Sequence, residues 1–235
     1  MTGITGSTRL VALLGQPVAD SLSPRMQNAA FAARALDWAY VACEVAPERL
    51  EPAVRGLVAL GFAGANVTIP HKVAAAALSD EAEGGPVNTL VFDRGRVLGF
   101  NTDKEIVAGI PAARVCLIGA GGAAEALRSG LTGDVRIFSR GGDWPPDAAG
   151  CDLIVNATPV RDELLVEPGP GQRVVDVAYY PDGRPTALVA AARARGSPLV
   201  VDGLDALVRQ GAAAFERWTG IPAPWDVMRA AVRSA

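Results

Sequence analysis

Histidine and cysteine are scarce in this sequence, and their scarcity excludes several kinds of functional site. The 235 residues include one histidine, His71, and three cysteines, Cys43, Cys116 and Cys151. A zinc site built on several histidines is therefore impossible, and a Ser-His-Asp triad could use only His71. The cysteines lie far apart and form no CxxC pair, so the sequence predicts neither a disulfide framework nor a zinc cluster. We expect them to be small buried hydrophobic side chains.

Lysine is also rare. Two lysines, Lys72 and Lys104, stand against twenty arginines. A generic surface cation in such a chain would be arginine, and lysine, unlike arginine, can lose its proton at accessible pH. Both lysines are therefore candidates for acid–base chemistry.

Long apolar runs and clustered positive charge are absent too. The N-terminal segment has an apolar run of only five residues, too short for the core of a signal peptide, and no later stretch reaches the roughly 18 apolar residues of a membrane helix. The net charge of -3 and the absence of a basic cluster argue against nucleic acid as a partner. We expect a cytoplasmic protein, a monomer or a homodimer, that acts on a small molecule without membrane or nucleic-acid partners.

Alternating strand and helix patterns predict an α/β protein. Short apolar runs at 10–15, 40–45 and 64–69 alternate with helical patterns at 24–36 and 47–60. This βαβαβ order implies a mainly parallel sheet with helices on its faces. A hairpin is predicted at 87–100, where two apolar runs flank Asp93-Arg94-Gly95.

A second α/β unit follows. Strands are predicted at 115–118, 135–138, 152–157, 174–177 and 199–201, and helices at 123–131, 186–195 and 204–218. The predicted domains are 1–102 plus 204–235, with the first mainly parallel sheet, and 103–203, a shortened Rossmann-type unit.

The strand at 115–118 runs directly into a dinucleotide-binding fingerprint. Gly119, Gly121 and Ala124 have the GxGxxA spacing between a strand and a helix, where glycines let a pyrophosphate approach the helix N-terminus. A turn shaped only for packing is the alternative. The next strand ends at Arg140, and no carboxylate occupies the position that holds the ribose 2′-hydroxyl in NAD sites, which favours NADP over NAD. A solvated arginine at a strand end is the structural alternative.

Two serines precede the first predicted helix. Ser23 followed by Pro24 is a good pair for the N-cap and first turn, and capping alone explains Ser23 well. Together, the hydroxyls of Ser21 and Ser23 would also suit a substrate carboxylate beside the helix N-terminus.

Eight segments follow one another in an order that one family shares. They are GQPVADSLSP (15–24), GANVTIPHK (64–72), VNTL (87–90), GFNTD (99–103), GAGGAA (119–124), NATP (156–159), DVAYYP (176–181) and QGAAAFERWTG (210–220). Through them the chain resembles the shikimate dehydrogenase family over nearly its whole length. The resemblance implies an N-terminal shikimate-binding domain and a Rossmann-type NADP-binding domain.

The resemblance also implies an activity and its residues. The activity is the reversible NADP-dependent reduction of 3-dehydroshikimate to shikimate, in aromatic amino acid and chorismate biosynthesis. The implied catalytic pair is Lys72 and Asp103, with His71 a neighbour and not a catalyst. The implied substrate residues are Ser21 and Ser23 for the carboxylate, Asn66, Thr68, Asn88 and Gln210 for the ring hydroxyls, and Tyr179 nearby. The implied cofactor residues are Gly119, Gly121, Gly122, Ala123, Ser139, Arg140, Thr158 and Gly203.

The nucleotide-binding half departs from the family pattern. Only eleven residues separate Arg140 from Asp152, too few for the family's helix-strand-helix passage, so a whole strand is predicted to be missing. Lys104 stands where the family usually has glycine, and Arg161-Asp162 replaces Gly-Met.

These departures leave alternatives open. Quinate or an aminoshikimate could replace shikimate, NAD could replace NADP, and the chain could bind shikimate-like ligands without efficient catalysis. A plain structural or interaction protein of α/β fold would require the set of serine, lysine, amide and carboxylate residues to be accidental.

Overall fold

The computed structural model describes residues 3–234, which form two compact units. The first unit comprises the chain up to Thr102 together with Gln210–Ser234, and the second comprises Asp103–Arg209. The prediction of an α/β protein with two sheets is confirmed.

The first unit contains a six-stranded mixed sheet. Its strands are β1 (Arg9–Gly15), β2 (Trp38–Glu44), β3 (Gly64–Val67), β4 (Glu81–Ala82), β5 (Thr89–Asp93) and β6 (Arg96–Phe100), in the order β2-β1-β3-β5-β6-β4. The central strand β1 pairs in parallel with β2 and β3, whereas β5 runs antiparallel to β3 and β6. The predicted hairpin is present, with Arg94 and Gly95 at φ 49 and 81, the positive angles that two-residue hairpin turns require.

Helices cover this sheet. Those of the first unit are α1 (Ser23–Ala33), α2 (Leu50–Ala59), α3 (Lys72–Ala77) and α7 (Trp225–Arg233), and α6 (Gly203–Thr219) begins in the second unit and ends in the first. Leu50, Val54 and Leu57 of α2 lie three and four residues apart and are buried against strand residues such as Leu14 and Val67. That spacing places them on one helix face, which explains why the sequence folds here as a helix.

The second unit contains a five-stranded parallel sheet. Its strands are β7 (Arg114–Ile118), β8 (Asp134–Phe138), β9 (Leu153–Asn156), β10 (Arg173–Asp176) and β11 (Val200–Val201), in the order β11-β10-β9-β7-β8, with helices α4 (Gly122–Arg128) and α5 (Ala187–Ala194). Every pairing is parallel. Strands of this kind are buried on both faces and therefore read as continuous apolar runs.

The connection from β8 to β9 is short, as predicted. Residues 139–152, all described, contain neither a helix nor a strand. Ala148 and Cys151 from this connection are instead buried against Cys116, Phe138 and Ile154. Two loop side chains thus cover sheet surface that a crossover helix would cover, and β8 is left as a sheet edge.

Three properties of the described residues bear on function. No helix within residues 3–234 is long and apolar enough to cross a membrane. In the same residues, no group of three or more His, Cys, Asp or Glu side chains could hold a metal ion. Cys116 and Cys151 are buried as expected, Cys43 is half-buried, and all three are free thiols.

Candidate active site

The two serines lie at the start of α1, but Ser23 does not cap the helix. Leu22 occupies the N-cap position in an αR conformation, and no side chain caps α1. The chain has therefore already turned at Leu22, and Ser23 is the first helical residue, so the capping prediction is wrong. The Ser21 hydroxyl accepts a 3.3 Å hydrogen bond from the Ser23 N–H.

A buried polar network begins at Tyr40 in β2. Its hydroxyl donates to Asn66 Oδ1 at 2.8 Å. Asn66 Nδ2 in turn donates to the Asn88 carbonyl at 3.1 Å and to Thr89 Oγ1 at 3.0 Å. Asn66 and Asn88 are 6% and 3% exposed. The network thus connects two of the predicted substrate residues, Asn66 and Asn88, directly.

Asn88 is fixed by the chain that follows the hairpin. Its Oδ1 accepts hydrogen bonds from the Thr102 N–H at 2.7 Å and from Thr102 Oγ1 at 3.1 Å. Thr102 Oγ1 also lies 3.0 Å from Thr89 Oγ1. Sequence reasoning missed Tyr40, Thr89 and Thr102, because a hydroxyl in or next to a strand can serve a network or merely pack. Thr89 and Thr102 lie in the shared segments VNTL and GFNTD, which is a signal that could have found them, whereas Tyr40 lies in none of these segments.

Thr68, His71 and Lys72 follow β3 directly. His71 is 1% exposed and its Nε2 lies 2.7 Å from the Val45 carbonyl, so it has a structural partner. Lys72 is half-buried and is the first residue of α3. Its carbonyl accepts a 3.0 Å hydrogen bond from the Val87 N–H, which anchors the start of this short helix.

Gln210 lies in α6 and is half-buried. The next residue, Gly211, accepts a 2.8 Å hydrogen bond on its carbonyl from Gln27 Nε2 of α1. A Cβ at Gly211 would lie 2.2 Å from the methyl group of Met26. The glycine therefore lets α6 approach α1 closely, which holds Gln210 in the first unit with the serines, Asn66, Thr68, Lys72 and Asn88.

The predicted fingerprint occupies the turn from β7 to α4. Gly119 has φ 119, a conformation that favours glycine, and a Cβ there would meet Ala157 and Thr158 at 3.4 Å. A Cβ at Gly121 or Gly122 would meet nothing within 4 Å. Packing thus explains Gly119, whereas the open space at Gly121 and Gly122, with Ala123 half-buried behind them, is what a pyrophosphate needs for close approach.

Ser139 and Arg140 lie at the end of β8. The Arg140 guanidinium is exposed, 3.7 Å from Glu163 and 5.7 Å from the centre of the Trp144 ring. Because an exposed ion pair of this kind contributes little free energy, Arg140 can exchange Glu163 for another anion. No carboxylate occupies the position that holds a ribose 2′-hydroxyl in NAD sites, so the residues present fit NADP better than NAD.

Thr158 belongs to a buried network behind the fingerprint. Its hydroxyl donates to Asn156 Oδ1 at 2.7 Å, and Asn156 Nδ2 donates to Asp176 Oδ1 at 2.9 Å. Asp176 also accepts hydrogen bonds from Thr186 Oγ1 at 2.5 Å and from the Ala178 N–H at 3.0 Å. These bonds fix the loops that follow β9 and β10.

The stability of the protein is expected to depend on the protonation of Asp176. Burial raises the pKa of Asp176 from 3.8 to about 6. The folded state therefore binds this proton more tightly than the unfolded chain, so the group's contribution to stability is present below pH 3.8 and is lost as pH rises to about 6. We expect Asp176→Asn to remove a contribution of about 1.4 kcal/mol from the difference in unfolding free energy between about pH 5 and about pH 7.5, measured by urea denaturation. Equal pH slopes for wild type and variant would contradict this account.

Tyr179 is half-buried in the loop after β10, and Arg161-Asp162 braces that loop. Arg161 Nη1 donates to the Tyr179 carbonyl at 3.0 Å, and the neighbouring Tyr180 hydroxyl donates to Asp162. The family's Gly-Met pair is thus replaced by residues with a structural role.

Two further predicted residues lie in the second unit. A Cβ at Gly203 would lie 2.2 Å from the Ala178 carbonyl, so close packing already requires glycine there. Asp103 is 7% exposed at the beginning of a 3₁₀ turn, Asp103–Ile106. Its pairing with Lys72 stays a prediction, since the two residues belong to different units.

A hydroxyl- and amide-rich cluster on one α/β unit and a strand-turn-helix fingerprint on the other define a nucleotide-dependent dehydrogenase of two-domain type. Comparison with known proteins makes this specific. The family model described as "Shikimate dehydrogenase substrate binding domain" matches residues 13–90, and "Shikimate 5'-dehydrogenase C-terminal domain" matches residues 203–233. A protein of Rubrobacter xylanophilus named shikimate dehydrogenase (NADP(+)) is 41% identical, over 97% of this chain and 97% of its own length. The chain belongs to the shikimate dehydrogenase family.

Solved structures agree. A shikimate dehydrogenase crystallised with NADP+ is 31% identical, with a TM-score of 0.88 over 98% of this chain and 96% of that one. The Thermus thermophilus enzyme in complex with NADP(H) and shikimate is also 31% identical, with a TM-score of 0.83 over 96% and 99% of the two chains. The alignment with the R. xylanophilus protein extends over 281 positions, more than the 235 residues of this chain, so this chain lacks segments that the relative has.

Proposed function

We propose that this protein is an NADP-dependent shikimate dehydrogenase, which reversibly reduces 3-dehydroshikimate to shikimate. The family prediction is confirmed, and relatives named for this NADP-linked activity support the function. The observation that carries the proposal is the buried network in the first unit, which holds Asn66 and Asn88 in hydrogen-bonded positions.

The substrate side fits a small polyhydroxy acid. Ser21 and Ser23 at the start of α1 provide hydroxyl donors for a carboxylate beside the positive end of the helix dipole. Asn66, Thr68, Asn88 and Gln210 provide amide and hydroxyl groups for ring hydroxyls. A site built from such groups rejects ligands that leave them unpaired, which is how hydroxyl positions on a ring are discriminated. Tyr179 completes the proposed substrate set.

Lys72 is proposed as the group that moves the hydroxyl proton. Oxidising a secondary alcohol requires its proton to leave, and the reverse reaction requires protonation of the nascent alkoxide. Lys72, at the first residue of α3, is assigned this transfer. Asp103 is assigned as the second member of the acid–base pair on the basis of the sequence resemblance.

The cofactor side fits NADP. When bound, NADP supplies the nicotinamide that exchanges hydride with the substrate carbon. Gly121 and Gly122 leave open space for the pyrophosphate, and Arg140 would bind the 2′-phosphate, with Ser139 beside it. Gly119, Ala123, Thr158 and Gly203 complete the proposed set by shaping the loops around the fingerprint.

Separate titrations test the proposal. Calorimetric titration of the purified protein with shikimate, quinate, NADP and NAD should show binding of shikimate and NADP, each more strongly than its analogue. Shikimate binding without affinity for either nucleotide would instead identify a ligand-binding family member that does not catalyse. Stronger binding of quinate than of shikimate would assign a different substrate to the same site.

A further inference from the structure

Trp144 lies in the short connection between β8 and β9 and is left partly in solvent. It is 39% exposed, whereas Ala148 and Cys151 of the same connection are 5% and 6% exposed. These two small side chains cover the sheet surface beside β8. Packing against the sheet therefore does not account for a tryptophan at position 144.

Backbone hydrogen bonds hold Trp144 near the end of β8. The Ser139 N–H donates to the Asp143 carbonyl at 3.0 Å, and the Gly142 N–H donates to the Ser139 carbonyl at 3.0 Å. The two bonds close residues 139–143 into a tight loop, which returns the chain to the end of the strand that it has just left. Trp144 follows this loop directly, so its backbone stays beside the strand end.

The end of β8 adjoins the turn that is proposed to bind the cofactor pyrophosphate. The Gly119 N–H donates to the Phe138 carbonyl at 2.8 Å, which joins the first glycine of the fingerprint to the last residue of β8. In a Rossmann-type unit, a nucleotide whose pyrophosphate lies at the fingerprint places its adenosine ribose at the end of this second strand. Trp144 therefore lies on the side of the fingerprint that the adenosine half of the cofactor would occupy.

Arg140 relates the Trp144 ring to the cofactor more closely. The ring centre lies 5.7 Å from the Arg140 guanidinium carbon, and Glu163, from the loop after β9, lies 3.7 Å from the same guanidinium. In NADP, the adenine and the 2′-phosphate are carried by neighbouring carbons of one ribose. A 2′-phosphate bound by Arg140 thus brings the adenine within reach of the Trp144 ring.

We propose that Trp144 provides the stacking surface for the adenine of the cofactor. A cationic side chain beside an aromatic one suits a nucleotide, because the cation pairs with phosphate and the aromatic face stacks on the base. The inference rests on the proposed function, in which NADP binds at the fingerprint and Arg140 binds its 2′-phosphate. It assigns the binding of the base to the connection that replaces the family's helix-strand-helix passage.

Trp144→Leu tests the proposal, because it removes the aromatic face and keeps an apolar side chain. NADP and NAD both carry adenine, so we expect the Kd of each to rise about tenfold, with the ratio of the two unchanged. The kcat at saturating NADP should stay within about threefold of wild type. Trp144→Phe keeps an aromatic ring and should recover most of the lost affinity. Calorimetric titration with both nucleotides and steady-state kinetics give these values.

A role limited to supporting Arg140 gives a different result. If the Trp144 ring only held the guanidinium in place, Trp144→Leu would weaken NADP binding and leave NAD binding at the wild-type level. That outcome would overturn the proposal, as would an unchanged Kd for both nucleotides. In an Arg140→Ala background, Trp144→Leu should still raise the Kd for NAD, since the base stacks without the arginine.

Tryptophan fluorescence reports on the contact directly. The probe is 2′,5′-ADP, which has the adenine, the ribose and the 2′-phosphate without the nicotinamide. Its addition should quench the fluorescence of the wild-type protein, because the base stacks on an indole. The quenching should be much smaller in Trp144→Phe, and equal quenching in the two proteins would overturn the proposal.

Trp225→Leu is the matched control. Trp225 is 46% exposed at the start of α7, in the first unit, and its replacement removes an indole of similar exposure. The Kd values for NADP and NAD should stay at the wild-type level in this variant. A rise equal to that in Trp144→Leu would assign the effect to the loss of any exposed indole and overturn the proposal.

The wild-type titration distinguishes the two levels of the proposal. Binding of NADP by the wild type, with unchanged binding in Trp144→Leu, would reject Trp144 and leave the proposed function standing. Binding of neither nucleotide by the wild type would reject both the proposed cofactor site and the role of Trp144.

Discussion

Replacing Lys72 with alanine is expected to lower kcat by about 10²- to 10⁴-fold while leaving the Kd for shikimate within a few-fold of wild type. The loss is that of a general acid–base group, because the alcohol proton then has no positioned acceptor. The backbone at Lys72 is anchored by the Val87 N–H at 3.0 Å and alanine favours helices, so the start of α3 should persist. Steady-state kinetics combined with calorimetric binding of shikimate measures both quantities.

Lys72→Arg is the matched control for charge. Arginine keeps the positive charge but does not give up its proton at accessible pH. If Lys72 transfers a proton, the arginine variant should be impaired about as severely as the alanine variant. Retained kcat in Lys72→Arg would show that charge alone is needed, and a large affinity loss with unchanged kcat in Lys72→Ala would show that Lys72 only binds substrate.

Arg140→Ala is expected to weaken NADP binding by roughly 10- to 100-fold and NAD binding much less. A charge-assisted hydrogen bond contributes about 1.5–3 kcal/mol, and Arg140 is the proposed partner of the 2′-phosphate, which NAD lacks. The loss of NADP affinity should be large in this protein because the short connection after β8 supplies no second basic residue before Asp152. Titration of both nucleotides into wild type and variant gives the ratio of affinities.

Glu163→Gln tests the same site by an opposite effect, because it should strengthen NADP binding and not weaken it. Glu163 Oε2 lies 3.7 Å from Arg140, so its carboxylate competes with an incoming phosphate. Its neutralisation should tighten NADP binding a few-fold and leave NAD binding unchanged. Equal losses for NADP and NAD in Arg140→Ala would mean that Arg140 contacts a part that the two nucleotides share.

The order of elements could be predicted from the sequence because the sheets are built from buried runs. β7 and β9 are continuous apolar runs between glycine- or proline-containing turns, and runs this short favour buried inner strands over helices. The absence of a strand after β8 could also be predicted. The eleven residues between Arg140 and Asp152 are too few for the family's helix-strand-helix passage, however the chain packs.

Three short elements, α3, α7 and β4, were not predicted from the sequence, because none has a clear periodic pattern. α3, KVAAAA, has six residues, fewer than two helical turns, and depends on its anchor at Val87 more than on its own propensity. α7 is a nine-residue amphipathic helix whose apolar positions are too few to stand out beside the longer α6. The strand β4 has two residues and exists only through its pairing with β6.

The candidate site could be predicted where a motif carries it and not where the fold assembles it. Asn66, Asn88 and Lys72 belong to segments that the family shares. Tyr40 carries no such signal, because its hydrogen bond to Asn66 depends on β2 and β3 lying on either side of β1 in the folded sheet. The capping role of Ser23 was wrong because the local pattern fits an N-cap, whereas the turn begins one residue earlier and Leu22 occupies the N-cap position.

Hydride transfer itself is the most direct test of the central claim. Shikimate and NADP+ are mixed with the purified protein, and the absorbance of the reduced nicotinamide is followed, with each ligand omitted in turn. The account predicts NADPH formation only when both ligands are present, faster than with NAD+ at equal concentration, and nearly abolished in Lys72→Ala. Shikimate binding with no nucleotide bound and no reduced cofactor formed would contradict it.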